Sequence, residues 1–225
     1  MEVATESKQH KILKSFAKLI LYFFGFYIIV GLLIAFSPLY ETIVLRPQGK
    51  NILYDAAINN KQEIKFANKN GDQLHAWYFK STGSKYVALI HHGNAGNITN
   101  RLMIVRDFLQ LGVSVCLYDY RGYGLSSGKP TISGLIEDGE CAYDYVTNDL
   151  KYQPDQIIIY GESIGSGVAV RVAKDRPCAG LILQSPPMSL PEVAGDGVIW
   201  LKLYPQWVFP EPQLRTKDLI AQQKG

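Results

Sequence analysis

Hydrophobic and polar positions divide the chain into stretches of different rhythm. Residues 19–36, LILYFFGFYIIVGLLIAF, form 18 consecutive positions without a charge or a strong polar group. As a helix this run would be roughly 27 Å long, close to the hydrocarbon thickness of a bilayer. It lacks the polar stripe that a helix packed on a soluble domain would show. Lys8, Lys11, Lys14 and Lys18 precede it, while Pro38 and Glu41 follow. The pattern predicts a basic tail over residues 1–18 and a single membrane-spanning helix over 19–36. The lysines place the N-terminus in the cytoplasm and the rest of the chain across the membrane. A cleaved signal peptide would carry a shorter apolar core and a small-x-small site, which Ala35-Phe36-Ser37 matches poorly.

Residues 40–60 show no period and predict an irregular approach. Alternation then sets in: Glu63-Ile64-Lys65-Phe66-Ala67, a turn rich in Asn, Gly and Asp, and Leu74-His75-Ala76-Trp77-Tyr78-Phe79. That reads as a β-hairpin. Beyond it, apolar runs over 86–90, 113–118, 156–160 and 180–184 alternate with helical patterns over 101–111, 132–148 and 165–174. Such runs suit strands buried on both faces of a sheet covered by helices. The predicted fold class is α/β, a sheet that begins antiparallel and turns parallel. Residues 185–212 contain six prolines and many apolar side chains. They predict a short helix and a proline-interrupted loop over the sheet's edge.

Composition changes this picture little. The chain is 225 residues long, 47% hydrophobic and 19% charged, so it is not intrinsically disordered. A net charge of +3 gives no basis for a nucleic-acid partner. Cys116, Cys141 and Cys178 show no CxxC spacing and are odd in number, which points to neither a zinc site nor a disulfide framework. The expectation is no metal and no cofactor.

Chemistry gathers in three places. Gly161-Glu162-Ser163-Ile164-Gly165 lies between an apolar strand and a helix, the context a nucleophile elbow needs. Ser163 would occupy a strained turn, with Gly161 and Gly165 small enough for strand and helix to approach. Ile164 would offer its amide to a developing oxyanion at the helix N-terminus. A serine merely capping a helix is the plain alternative. The second place is His91-His92-Gly93-Asn94-Ala95-Gly96-Asn97, after the first parallel strand. In an esterase such a loop supplies a second oxyanion amide, here that of Asn94, with Ala95 next. Adjacent histidines on a strand end point in opposite directions and make a poor metal pair. His92 therefore reads as a structural residue that hydrogen-bonds the loop. The third is Asp119-Tyr120-Arg121-Gly122-Tyr123-Gly124-Leu125-Ser126-Ser127-Gly128. It matches no phosphate-binding motif and reads as a pocket-rim loop, with Arg121 and Asp119 as partners.

These motifs, in this order and spacing, give the chain its resemblance to the alpha/beta-hydrolase superfamily. It resembles in particular the membrane-anchored serine hydrolases similar to serine aminopeptidases and acyl-thioesterases. The resemblance covers residues 43–213 and implies Ser163 as nucleophile, the Asn94 and Ile164 amides as oxyanion hole, and acyl transfer from an ester, thioester or amide to water. It implies a small acyl-containing or lipid-like substrate, and it implies that residues 41–225 form the hydrolase domain.

The fold's triad runs Ser, acid, His along the chain, whereas His10, His75, His91 and His92 all precede Ser163. Asp196 and Asp218 follow it but not after a strand. The expectation is a hydrolase domain truncated at the C-terminus and impaired as written, with residues 180–184 as an open sheet edge. Two other readings stand beside it: a non-catalytic binding or scaffold protein on the same fold, and an acyltransferase using an alcohol in place of water.

Overall fold

A computed structural model describes residues 2–36, 39–48 and 61–221. The chain opens with one long helix, α1 (Glu2–Phe36), which continues without a break through the basic tail. Its stretch His10–Ala35 is long and apolar enough to cross a membrane. Most of its large side chains face outward, but Gly31 and Ile34 are buried, so its final turns belong to the body of the protein.

The expected irregular approach differs in its first part, which is a short helix, α2 (Leu39–Val44). Tyr40 and Val44, one turn apart, bury their side chains in the main core and hold this turn helical. Residues 49–60 lie outside the described residues.

Six strands follow: β1 (Lys61–Ala67), β2 (Gln73–Phe79), β3 (Val87–His91), β4 (Ser114–Tyr118), β5 (Ile157–Glu162) and β6 (Gly180–Gln184). They form one sheet in the order β1-β2-β4-β3-β5-β6. β1 pairs antiparallel with β2, and β2 with β4. The pairs β3–β4, β3–β5 and β5–β6 are parallel. The sheet therefore begins antiparallel and turns parallel. β1 alternates because one side meets water, whereas β2 is buried from Leu74 to Phe79 and β3 and β4 are buried at every position.

Both faces are covered. Trp77, Phe79, Ile90, Val105, Phe108 and Leu117 form one core beneath α3 (Leu102–Gln110). The larger core lies on the opposite face, beneath α4 (Ile132–Asn148) and α5 (Ile164–Asp175). β6 is the sheet's outer strand among the described residues, and its Ile182 is exposed.

The proline-rich region gives α6 (Leu190–Gly197) and two single 3-10 turns, Ile199–Leu203 and Gln206–Val208. Here the structure adds to the expected loop over the sheet edge: α6 packs on α2, and the second turn on α1. What looks like a polar tail in the sequence contains a helix, α7 (Thr216–Ala221), which docks on α5 and buries Thr216 and Leu219. Cys116, Cys141 and Cys178 are all free thiols.

His91, the last residue of β3, is fully buried, and its Nδ1 lies 2.7 Å from the Tyr118 hydroxyl. Burial, helped by neighbouring His92, lowers its pKa from 6.5 to about 3. In the unfolded chain the imidazole regains its ordinary value, so below about pH 6.5 the unfolded state binds the proton and the folded state does not. This stability is complete above pH 6.5 and is lost as pH falls towards 3. Unfolding free energy is expected to drop by roughly 3 kcal/mol between pH 7 and about pH 4 from this group. Denaturation as a function of pH tests this, and His91→Gln should flatten the decline.

Candidate active site

Ser163 sits between β5 and α5 with φ 52° and ψ −121°. A non-glycine residue in that region is strained by about 1–3 kcal/mol, held in place by its surroundings. Those surroundings are crowded backbone. A Cβ on Gly161 would lie 2.6 Å from the Gly165 carbonyl oxygen and from Ser166 Cα, and one on Gly165 would overlap the His91 carbonyl. The Ser163 amide donates to the Gln184 carbonyl at 2.9 Å, which ties the turn to β6. The Ser166 hydroxyl donates to the Gly161 carbonyl at 3.0 Å and closes the turn from below. Ser163 is half-buried. Among the described residues its hydroxyl makes no hydrogen bond, and no histidine reaches it.

The loop after β3 lies beside this turn, because Gly165 packs directly on the carbonyls of His91 and His92. His92 is fully buried, and its Nδ1–H donates to the Gly93 carbonyl at 2.7 Å. Its Nε2 lies 3.6 Å from Asp119 Oδ1. Burial lowers its pKa, against the opposing pull of Asp119. The Gly93 amide is 3.3 Å from Glu162 Oε2, and the same carboxylate oxygen meets Arg101 Nε at 2.5 Å. Sequence reasoning passed over this pair, although Glu162 immediately precedes Ser163. With the Gly93 amide taken, the amides of Asn94 and Ile164 remain without an acceptor among the described residues. At Ile164 this follows from its place in the first turn of a helix.

Asn94 has a second feature that its motif does not announce. Its side chain is gripped by the segment just after α2: Oδ1 accepts from the Arg46 amide at 2.8 Å, and Nδ2 donates to the Val44 carbonyl. The Tyr123 hydroxyl adds a third bond to Oδ1, at 3.0 Å. Pro47 bridges to Gly96, and the Gly124 amide donates to the Gln48 carbonyl at 3.1 Å. Glu41 of α2 accepts from the Ile132 amide at 2.9 Å, at the start of α4. Residues 41–48 thus clasp the oxyanion-type loop, the rim loop and a helix end together.

In the rim loop the expected pairing of Arg121 with Asp119 is corrected. Arg121 turns to Asp138 of α4, which is fully buried. Asp138 accepts from the Arg121 amide at 2.8 Å, from Nε at 3.0 Å and from Nη2 at 2.7 Å. Asn68 Nδ2 adds a bond at 3.0 Å, and Glu137 meets Nη2 from outside at 2.9 Å. The reason is position: the Asp119 carboxylate points the other way, accepting from the Ile98 amide at 3.0 Å and lying near His75 and His92. Asp196, a candidate acid by its place in the chain, forms an exposed ion pair with Lys202 at 2.8 Å.

Two surface clefts lie elsewhere. One of about 410 Å³ is lined by Arg171, Glu211, Leu214, Arg215 and Asp218, and Ser163 takes no part in it. Among the described residues no cluster of histidine, cysteine, aspartate or glutamate could hold a metal ion.

The family described as serine aminopeptidase, S33, matches residues 83–224. An uncharacterized protein of Mycobacterium tuberculosis is 38% identical over 144 residues, covering 63% of this chain and 51% of its own. An uncharacterized membrane protein of Saccharomyces cerevisiae is 37% identical over 124 residues, covering 54% of this chain and 44% of its own. The chain thus spans about half the length of these relatives. A crystal structure of an alpha-beta hydrolase from Vibrio vulnificus superposes with a TM-score of 0.61 at 22% identity, over 75% of this chain and 61% of that one.

Proposed function

The chain belongs to the serine aminopeptidase S33 family of the α/β-hydrolases, and from that premise we propose that it is a membrane-tethered serine acyl hydrolase. The observation that carries the proposal is the half-buried, unbonded Ser163 hydroxyl, raised on a positive-φ turn between β5 and α5. Ser163 Oγ attacks the carbonyl carbon of an ester, thioester or amide. The negative charge that develops on the carbonyl oxygen is met by the Asn94 and Ile164 amides. Collapse of that intermediate expels an alcohol, thiol or amine and leaves an acyl group on Ser163. Attack by water then returns the free serine and releases the acid.

The serine needs a base to accept its proton. His75, His91 and His92 are buried in other contacts, and among the described residues no base lies within hydrogen-bond reach of the serine. The same observation favours a second reading, a non-catalytic scaffold that keeps the elbow without using it. Helix α1 supplies the tether, with its lysines holding the N-terminus in the cytoplasm and the hydrolase domain on the opposite side.

A fluorophosphonate probe separates the readings. With imidazole present to take the serine proton, covalent labelling that maps to the peptide containing Ser163, and that vanishes in Ser163→Ala, is the expected result. A folded chain that resists the probe even with imidazole would leave the scaffold reading in its place.

A further inference from the structure

The apolar segment after α6 stands on the membrane helix itself. Tyr204 stacks flat on Tyr27 of α1, with ring centroids 4.4 Å apart and planes 2° from parallel. The Tyr27 hydroxyl donates to the Leu203 carbonyl at 2.9 Å, and the Tyr204 hydroxyl donates to the Tyr27 carbonyl at 3.0 Å. Gly31, one turn further along α1, lets Tyr204 and Val208 approach: a Cβ there would lie 3.2 Å from the Tyr204 ring. Tyr27 precedes the end of α1 at Phe36 by nine residues, which places this contact about 13 Å back along the helix. If residues 19–36 span the bilayer, that depth is inside it.

The outward side of the same segment is largely apolar, its exposed polar members being Gln206 and Lys202, which pairs with Asp196 at 2.8 Å. Trp207 is 82% exposed, Ile199 and Leu203 71% each, and Trp200 47%. These residues continue the outward-facing apolar surface of α1, where Phe23, Phe24, Phe26 and Ile28 are also exposed. The backbone suits a dry setting too. The amides of Leu201, Tyr204, Val208 and Phe209 donate to carbonyls three residues back, at 2.9–3.1 Å. Pro205 has no amide hydrogen, and Gln213 Nε2 donates to the carbonyls of Gln206 and Phe209 at 2.9 Å. Backbone at membrane depth is tolerated only when its polar groups are satisfied in this way.

We infer that residues 198–209 enter the lipid bilayer beside α1, with Trp200, Leu203 and Trp207 facing the acyl chains. The inference rests on the reading of α1 as a membrane anchor and deepens it: the protein meets the bilayer through two elements, and the second is a wedge on the hydrolase domain. The occupant of the exposed face is lipid, because the face is continuous with the helix surface that lipid would cover.

The test uses the full chain reconstituted into phosphatidylcholine vesicles, with Trp207→Phe and Trp200→Phe variants to assign the emission; the remaining tryptophan, Trp77, is buried. The part of the fluorescence lost in Trp207→Phe should be quenched at least about twofold more strongly by lipids brominated on the acyl chain than by aqueous iodide, given a depth of about 13 Å along α1. Quenching by iodide, in a chain that stays with the vesicles in alkaline carbonate, would overturn the wedge and leave the anchor standing. Protection from both quenchers would assign the face to a protein neighbour such as a second copy and would also overturn it. Extraction by carbonate would remove the anchor reading and the wedge together.

Discussion

Imidazole is expected to accelerate ester hydrolysis by the 225-residue chain, and Ser163→Ala to abolish that acceleration. The Ser163 hydroxyl has no base within hydrogen-bond reach among the described residues, and His75, His91 and His92 are committed to other contacts. A positioned general base contributes about 10²–10⁴-fold, and a diffusing one lacks the benefit of positioning. The expected gain at saturating imidazole is therefore at the lower end, on the order of tenfold to a hundredfold. Without imidazole, Ser163→Ala should change little. When one member of a catalytic unit is missing, removing another costs almost nothing, and the remaining rate comes from oxyanion stabilisation and binding. Rates of p-nitrophenyl ester cleavage for both proteins across an imidazole series, each after subtraction of the cleavage by imidazole alone, provide the comparison. Equal imidazole dependence in wild type and Ser163→Ala would show that the serine is not the nucleophile.

Asp138→Ala is expected to be the most damaging substitution for stability outside the hydrophobic cores. The carboxylate is fully buried and accepts from the Arg121 amide, Nε and Nη2 as well as from Asn68. Removing it strands a largely buried guanidinium and two other donors, the Arg121 amide and Asn68 Nδ2. Breaking one side of such a pair costs about 3–5 kcal/mol, because the remaining charge keeps its desolvation penalty and loses its partner. Chemical denaturation of the two proteins measures the difference. The double variant Arg121→Met with Asp138→Leu should recover most of it, since an apolar pair of similar volume avoids both penalties. A cost below about 1 kcal/mol for Asp138→Ala would mean that water reaches Arg121 and screens it.

The contrast between Arg121 and Ser163 shows what could be read before folding. The α/β class was legible because strands buried on both faces lose alternation, as β3 and β4 do. The elbow was legible because its demands are local: a serine in a turn, glycines two residues either side, a strand before and a helix after. Arg121 was legible as a buried network residue, but its partner was not. Asp119 is two residues away and Asp138 seventeen, and only the docking of α4 decides between them. The grip of residues 44–48 on Asn94 was hidden for the same reason. Main-chain carbonyls and amides carry no residue-type signal, so Val44 and Arg46 could not be distinguished from any other pair. The aromatic residues after α6 were visible as apolar, but their contact with α1 joins positions more than 170 residues apart.

That grip has a practical consequence. The obvious place to cut the anchor away is just before the first strand. Here such a cut would take with it three of the bonds that orient the loop beside Ser163: those from Val44 and Arg46 to Asn94, and the Pro47 bridge to Gly96. It would also uncap α4 at Ile132. The boundary between tether and enzyme therefore falls no later than Leu39 rather than near Lys61, and a form cut at Leu39 should keep the grip on Asn94 that one cut at Lys61 loses.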